Sequence, residues 1–132
     1  MRKLFQTLLL LAAFVPFVLG GMTLLSGAGR FFPPELVTGQ LDGQVRFWGV
    51  RSMLPFVLAV WIVLNFERAG TVLSIVVIAT AIGGIARLGA VPQFGWPDPA
   101  LMGVIVFEIA ALAFLPWYWA LPRHRREPAG HA

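Results

Sequence analysis

The 132-residue sequence contains no cysteine, which excludes disulfides, a thiol nucleophile and thiolate metal sites. Charge is scarce as well. Only 12% of residues are Asp, Glu, Lys or Arg, about half of the ~25% that soluble domains carry. With 58% hydrophobic residues, that excludes both a large soluble domain and a disordered chain. No histidine falls within an apolar run; His124 and His131 sit in a short polar tail that offers no further ligand and is a poor metal site. There is no G-x-S-x-G, no H-E-x-x-H and no phosphate-binding loop. No catalytic residue, metal site or cofactor is therefore expected, and nothing points to an enzyme. The net charge of +4 raises the question of nucleic acid. The basic residues, however, stand singly between apolar runs except for one C-terminal cluster, so no nucleic-acid partner is expected.

What the chain does have is long hydrophobic runs. Four of them, at about residues 4–25, 47–65, 71–88 and 100–121, each match the roughly 20 residues a helix needs to cross a bilayer. The sequence thus predicts an all-α, four-transmembrane-helix bundle, an integral membrane protein with one domain over residues 1–122 and a basic tail over 123–132. The first run follows Arg2-Lys3 as a signal peptide would, but it exceeds the usual apolar stretch of about 7–15 residues and lacks an A-x-A site, so it is read as a retained helix. Phe66 to Gly70 is short enough to be a tight hairpin. Asp98-Pro99 reads as an N-cap followed by a first-turn proline, and Phe31-Phe32-Pro33-Pro34 cannot continue a helix. Ala79-x-x-x-Gly83 and Thr80-x-x-x-Gly84 have the spacing of close helix packing, and Pro16 and Pro116 are expected kinks.

Orientation follows from the arginines. With the N-terminus inside, the cytoplasmic face collects Arg2, Lys3, Arg68, Arg123, Arg125 and Arg126, against Arg30, Arg46 and Arg87 on the other, with Arg51 just inside the second span. Both termini are expected in the cytoplasm. Trp48 and Trp96 then fall at outer boundaries and Trp61, Trp117 and Trp119 towards inner ones, where amphipathic rings belong. The tail arginines are placed to meet anionic lipid headgroups.

Ionisable groups at membrane depth are the remaining signal, because they are costly there. Glu108 lies nine residues after Pro99, roughly 12–14 Å along the fourth helix. Arg87 ends the third span, Arg51 lies about one turn inside the second, and Arg46 sits at its mouth. Asp42 and Arg46 are four apart and can pair on one helical face, or Asp42 can cap the helix instead. Gln44 adds an amide, and Pro55 leaves the Arg51 carbonyl without its helical donor. Asp42, Gln44, Arg46, Arg51, Arg87 and Glu108 are therefore the candidate polar cluster. It has two readings, an internal Arg–Glu clasp or the lining of a ligand pocket or proton-handling site.

LDGQVRFWG (41–49), GGIARLGAVPQFGWP (83–97) and the isolated Glu108 resemble the bacterial family catalogued as domain of unknown function 4345. The resemblance rests on Asp42, Gln44, Arg46, Gly49, Gly83, Gly84, Arg87, Gly95, Pro97 and Glu108. Gly43 and Val50-Arg51 depart from its pattern, which makes Arg51 a feature of this chain. The resemblance implies a small four-helix protein of the bacterial inner membrane and supplies no reaction. Three roles are expected on these grounds. The first is binding of a membrane lipid, a quinone-like molecule or another small amphipathic ligand, or stabilisation of a larger membrane complex. The second is a proton-coupled carrier or oxidoreductase accessory in which Glu108 titrates. The third is a purely structural partner of another membrane protein. The sequence sets no oligomeric state.

Overall fold

The computed structural model describes residues 1–122; the tail with His124 and His131 lies outside the described residues. The protein is all-α, and among the described residues there is no strand. The helices are α1 (Arg2–Ser26), α2 (Gly39–Leu64), α3 (Gly70–Leu88), the single turn α4 (Val91–Phe94), α5 (Pro99–Ala110) and α6 (Phe114–Ala120). Short 3₁₀ turns lie at Ala28–Arg30, Pro34–Leu36, Phe66–Arg68 and Ala111–Ala113. Four segments are long and apolar enough to cross a membrane: Arg2–Ser26, Gly39–Leu64, Gly70–Phe94 and Pro99–Ala120. Their surfaces keep large apolar side chains exposed along their length, Leu11, Val57, Ile75, Ile82 and Val106 among them, and no polar or charged residue is buried. Such a surface meets lipid rather than water.

Helix ends follow local chemistry. The Thr38 hydroxyl accepts the Leu41 N–H at 3.2 Å and opens α2, eight residues before the apolar run at Phe47. A 26-residue helix is about 39 Å long, whereas the hydrocarbon core is ~30 Å thick. The polar turns before Phe47 are the excess over that thickness. Asp98 caps α5 as its sequence position predicts, its carboxylate accepting the N–H groups of Ala100 and Leu101 at 2.9 and 3.0 Å, with Pro99 in the first turn. In the last segment the backbone tightens to 3₁₀ over Ala111–Ala113. Pro116 explains this, because it cannot donate to the Leu112 carbonyl.

The chain divides into two compact units. One is residues 6–64; the other is Met1–Phe5 with the chain from Asn65 onward. In the first, α1 and α2 run antiparallel in contact along their length. The Gln6 amide donates to the Val63 carbonyl at 3.3 Å, and Phe56 meets Phe14 and Phe17 with ring centroids 5.6 and 4.9 Å apart. Further along, Gly20 and Gly49 face each other. A Cβ on Gly49 would lie 2.7 Å from the Gly20 carbonyl oxygen and 2.8 Å from the Leu24 nitrogen. Here two backbones touch, and only glycine permits it.

In the second unit α3 packs on α5 and α6. Gly70, Leu73, Val77, Ala81 and Gly84 are the buried residues of α3, spaced three and four apart on one face. Of the two small-residue pairs in α3, Gly84 serves this contact, where a Cβ would lie 3.0 Å from Glu108 Cβ. Ala79 and Gly83 are exposed on another face. The core of this unit is aromatic. Phe5 is fully buried against Phe66, Phe114, Trp117 and Tyr118, with centroids 5.3–6.0 Å apart. The Tyr118 hydroxyl donates to the Phe66 carbonyl at 2.6 Å.

Candidate functional site

In the unit of α1 and α2, Asp42 and Arg46 form a clasp between helix ends. A helix leaves its last four carbonyls without intrahelical donors. Arg46 Nη1 answers two of these at the end of α1, donating to the Leu24 and Leu25 carbonyls at 2.6 and 3.3 Å. Its Nε donates to Asp42 Oδ2 at 2.7 Å. Asp42 Oδ1 in turn accepts the Ala28 N–H at 2.8 Å, just past the end of α1. Of the two roles open to Asp42 in the sequence, it takes the ion pair, while Thr38 caps α2. Gly27 makes the clasp possible. It has φ +63°, a conformation that side chains rarely adopt, and a Cβ there would run into the Asp42 carboxylate and lie 2.8 Å from Arg46 Nη2.

Gln44 and Arg51 are placed differently. Both are exposed. Two residues along a helix is a rotation of about 200°, so Gln44 lies on the side of α2 opposite Asp42 and Arg46. The Arg51 guanidinium lies 5.8 Å from the Trp48 ring centroid, within reach of a cation–π contact. Arg51 also lines an open cavity of about 440 Å³ with Phe17, Phe47, Val50, Met53, Leu54 and Val57. The cavity wall is almost wholly apolar, so Arg51 contributes the aliphatic part of its side chain while its guanidinium reaches towards Trp48. Pro55, inside α2, has no N–H to offer the Arg51 carbonyl.

In the other unit, Arg87 at the end of α3 pairs with Glu108 of α5. Nε donates to Oε2 at 3.2 Å and Nη2 to Oε1 at 3.5 Å, a two-pronged pairing at long range. The Glu108 side chain is 19% exposed and the Arg87 side chain 43%. The carboxylate is thus partly sheltered between helices while the cation reaches outward. Gly84 allows that shelter by letting α5 approach α3 beside Glu108.

Among the described residues one ion pair falls outside the candidate cluster. Arg2 Nη1 meets Glu67 Oε1 at 2.7 Å, and the Arg2 guanidinium lies 4.4 Å from the Phe66 ring centroid. The signal for it in the sequence is weak: Arg2 reads as topology-setting charge and Glu67 as an ordinary hairpin residue. The six candidates therefore resolve into the Asp42–Arg46 clasp, the Arg87–Glu108 pair, an outlying Gln44, and Arg51 at the edge of an apolar groove.

A family model described as "Domain of unknown function (DUF4345)" matches residues 4–121. Comparison with curated proteins finds no match, and comparison with solved structures finds none.

Proposed function

Because the chain belongs to the family described as Domain of unknown function (DUF4345), whose description names no reaction, we propose its role from the geometry: a non-enzymatic, multi-pass protein of the bacterial inner membrane, both termini cytoplasmic, that binds a membrane amphiphile in the groove beside Arg51. The observation that carries this reading is the groove itself, an open apolar cavity of about 440 Å³ with one cation among its lining residues. Its volume lies within the range of about 300–1,000 Å³ for small-molecule sites, and its apolar wall suits hydrocarbon, with the Arg51 charge just outside it. Asp42, Arg46, Arg87 and Glu108 serve here as the frame, holding the helices in register.

The test is native mass spectrometry of the protein purified in mild detergent. The wild type is expected to retain a co-purified amphiphile, and Val57→Trp, which fills the groove, is expected to lose it. Equal retention by both would overturn the proposal.

One observation favours a second reading. Both acids of the cluster are neutralised within their own unit, Asp42 by Arg46 and Glu108 by Arg87. That is what a purely structural partner subunit needs. Loss-free exchange of Val57→Trp, together with stoichiometric co-purification of another membrane protein, would establish it instead.

A further inference from the structure

Resting on the amphiphile reading, we infer that the groove takes one anionic phospholipid, its phosphate against the Arg51 guanidinium and one acyl chain along α2. Three observations converge on this occupant. The first is length. The α2 residues that line the groove run from Phe47 to Val57, ten helical steps or about 15 Å, half of the ~30 Å hydrocarbon thickness and so the depth of one leaflet. Val50, Leu54 and Val57 are four and three apart, forming a continuous apolar rail on one helical face, and all three are exposed.

The second is direction. Helical side chains lean towards the N-terminus of their helix, and the contact with Trp48, one turn earlier, shows that Arg51 does so. Its guanidinium therefore leans out of the apolar groove towards Trp48 and the polar turns of α2, at the groove's mouth, with Leu54 and Val57 running away from it. Charge at the shallow end and hydrocarbon below is the polarity of a lipid in its own leaflet.

The third is charge. Arg46 and Arg87 each have a carboxylate partner. Among the described residues Arg51 makes no ion pair; its neighbour is the Trp48 ring. A guanidinium about 7 Å further along α2 than Arg46 calls for an anion, and the planar fork matches phosphate oxygens. An anionic headgroup leaves that charge satisfied. A zwitterionic headgroup brings its own cation to the same place, and a quinone offers only neutral carbonyls.

The measurement is lipid binding to the delipidated full chain in detergent, read by native mass spectrometry with phosphatidylglycerol, phosphatidylcholine and ubiquinone of matched concentration. Phosphatidylglycerol is expected to bind at least ~10-fold more tightly than phosphatidylcholine, a difference of about 1.4 kcal/mol. Arg51→Gln should abolish the preference and Arg51→Lys should keep part of it, with all variants unfolding at the wild-type temperature. Val57→Trp should weaken both lipids. If the wild type shows no preference, or prefers ubiquinone, while Val57→Trp still removes binding, the headgroup assignment falls and the amphiphile site stands. If Val57→Trp changes nothing, the bound lipid is merely annular and both readings fall.

Discussion

Arg46 holds one carboxylate and two backbone carbonyls on the same guanidinium. A lysine has no planar fork to span that geometry. Arg46→Lys should therefore behave much more like Arg46→Met than like wild type, each lowering stability in detergent by about 1–3 kcal/mol, read as a fall in Tm. Its i, i+4 relation to Asp42 was legible in the sequence because helical spacing alone brings such residues together. Its hold on the end of α1 was not, since that depends on how α1 terminates at Gly27. Arg87 and Glu108 were legible by depth arithmetic, twenty-one positions apart though they are. Each change alone, Arg87→Met or Glu108→Leu, should cost about 1–2 kcal/mol, discounted for the exposure of Arg87. The double variant should lose less than the sum. Strict additivity in a thermal-unfolding cycle would show that the pair carries no coupling.

Among the helices, the glycines divide into those that touch another backbone and those that do not. Gly49 sits against the Gly20 carbonyl, and Gly83 has no atom within 4 Å of where a Cβ would stand. Gly49→Ala is expected to destabilise by about 1–3 kcal/mol through overpacking. Gly83→Ala should be neutral or stabilising by up to ~1 kcal/mol, since alanine is the better helix former. A loss at Gly83, measured in the same assay, would instead mean that the exposed face of α3 packs against something beyond this chain. Spacing alone offered both pairs in α3 as packing motifs. It could not say which face α5 would choose, because that choice is made by the buried row from Gly70 to Gly84. The start of α2 was hidden for a related reason. Apolarity marks the part of a helix that lies in hydrocarbon, and Gly39 to Arg46 is helical without being apolar. Pro116, by contrast, signals a local irregularity directly through the N–H it lacks; a kink is expected there, and the backbone takes a 3₁₀ turn at Ala111–Ala113.

For the molecule as a whole, orientation follows the number of Lys and Arg residues on each side, to which acidic neighbours contribute little. In the four-span reading Arg2, Lys3 and Arg68 fall on one side and Arg30, Arg46, Arg51 and Arg87 on the other, so the expected asymmetry rests on the arginines after Pro122. Alkaline phosphatase fused at the C-terminus is expected to be inactive, and fused after Glu35 active. Replacing Arg123, Arg125 and Arg126 together with glutamine should raise the fraction inserted in the opposite sense, whereas Arg2→Gln alone should not. The number of crossings was legible because bilayer thickness sets it. The division into two units was not, because no break in composition marks Asn65. The aromatic knot around Phe5 has a consequence in time. Its neighbours Phe114, Trp117 and Tyr118 are synthesised about 110 residues after it, which at ~5–20 residues per second is a delay of roughly 5–20 s. Phe5 can therefore reach its final packing only after the chain has been made through Tyr118. Until then the first turn of α1 lacks the rings that bury Phe5.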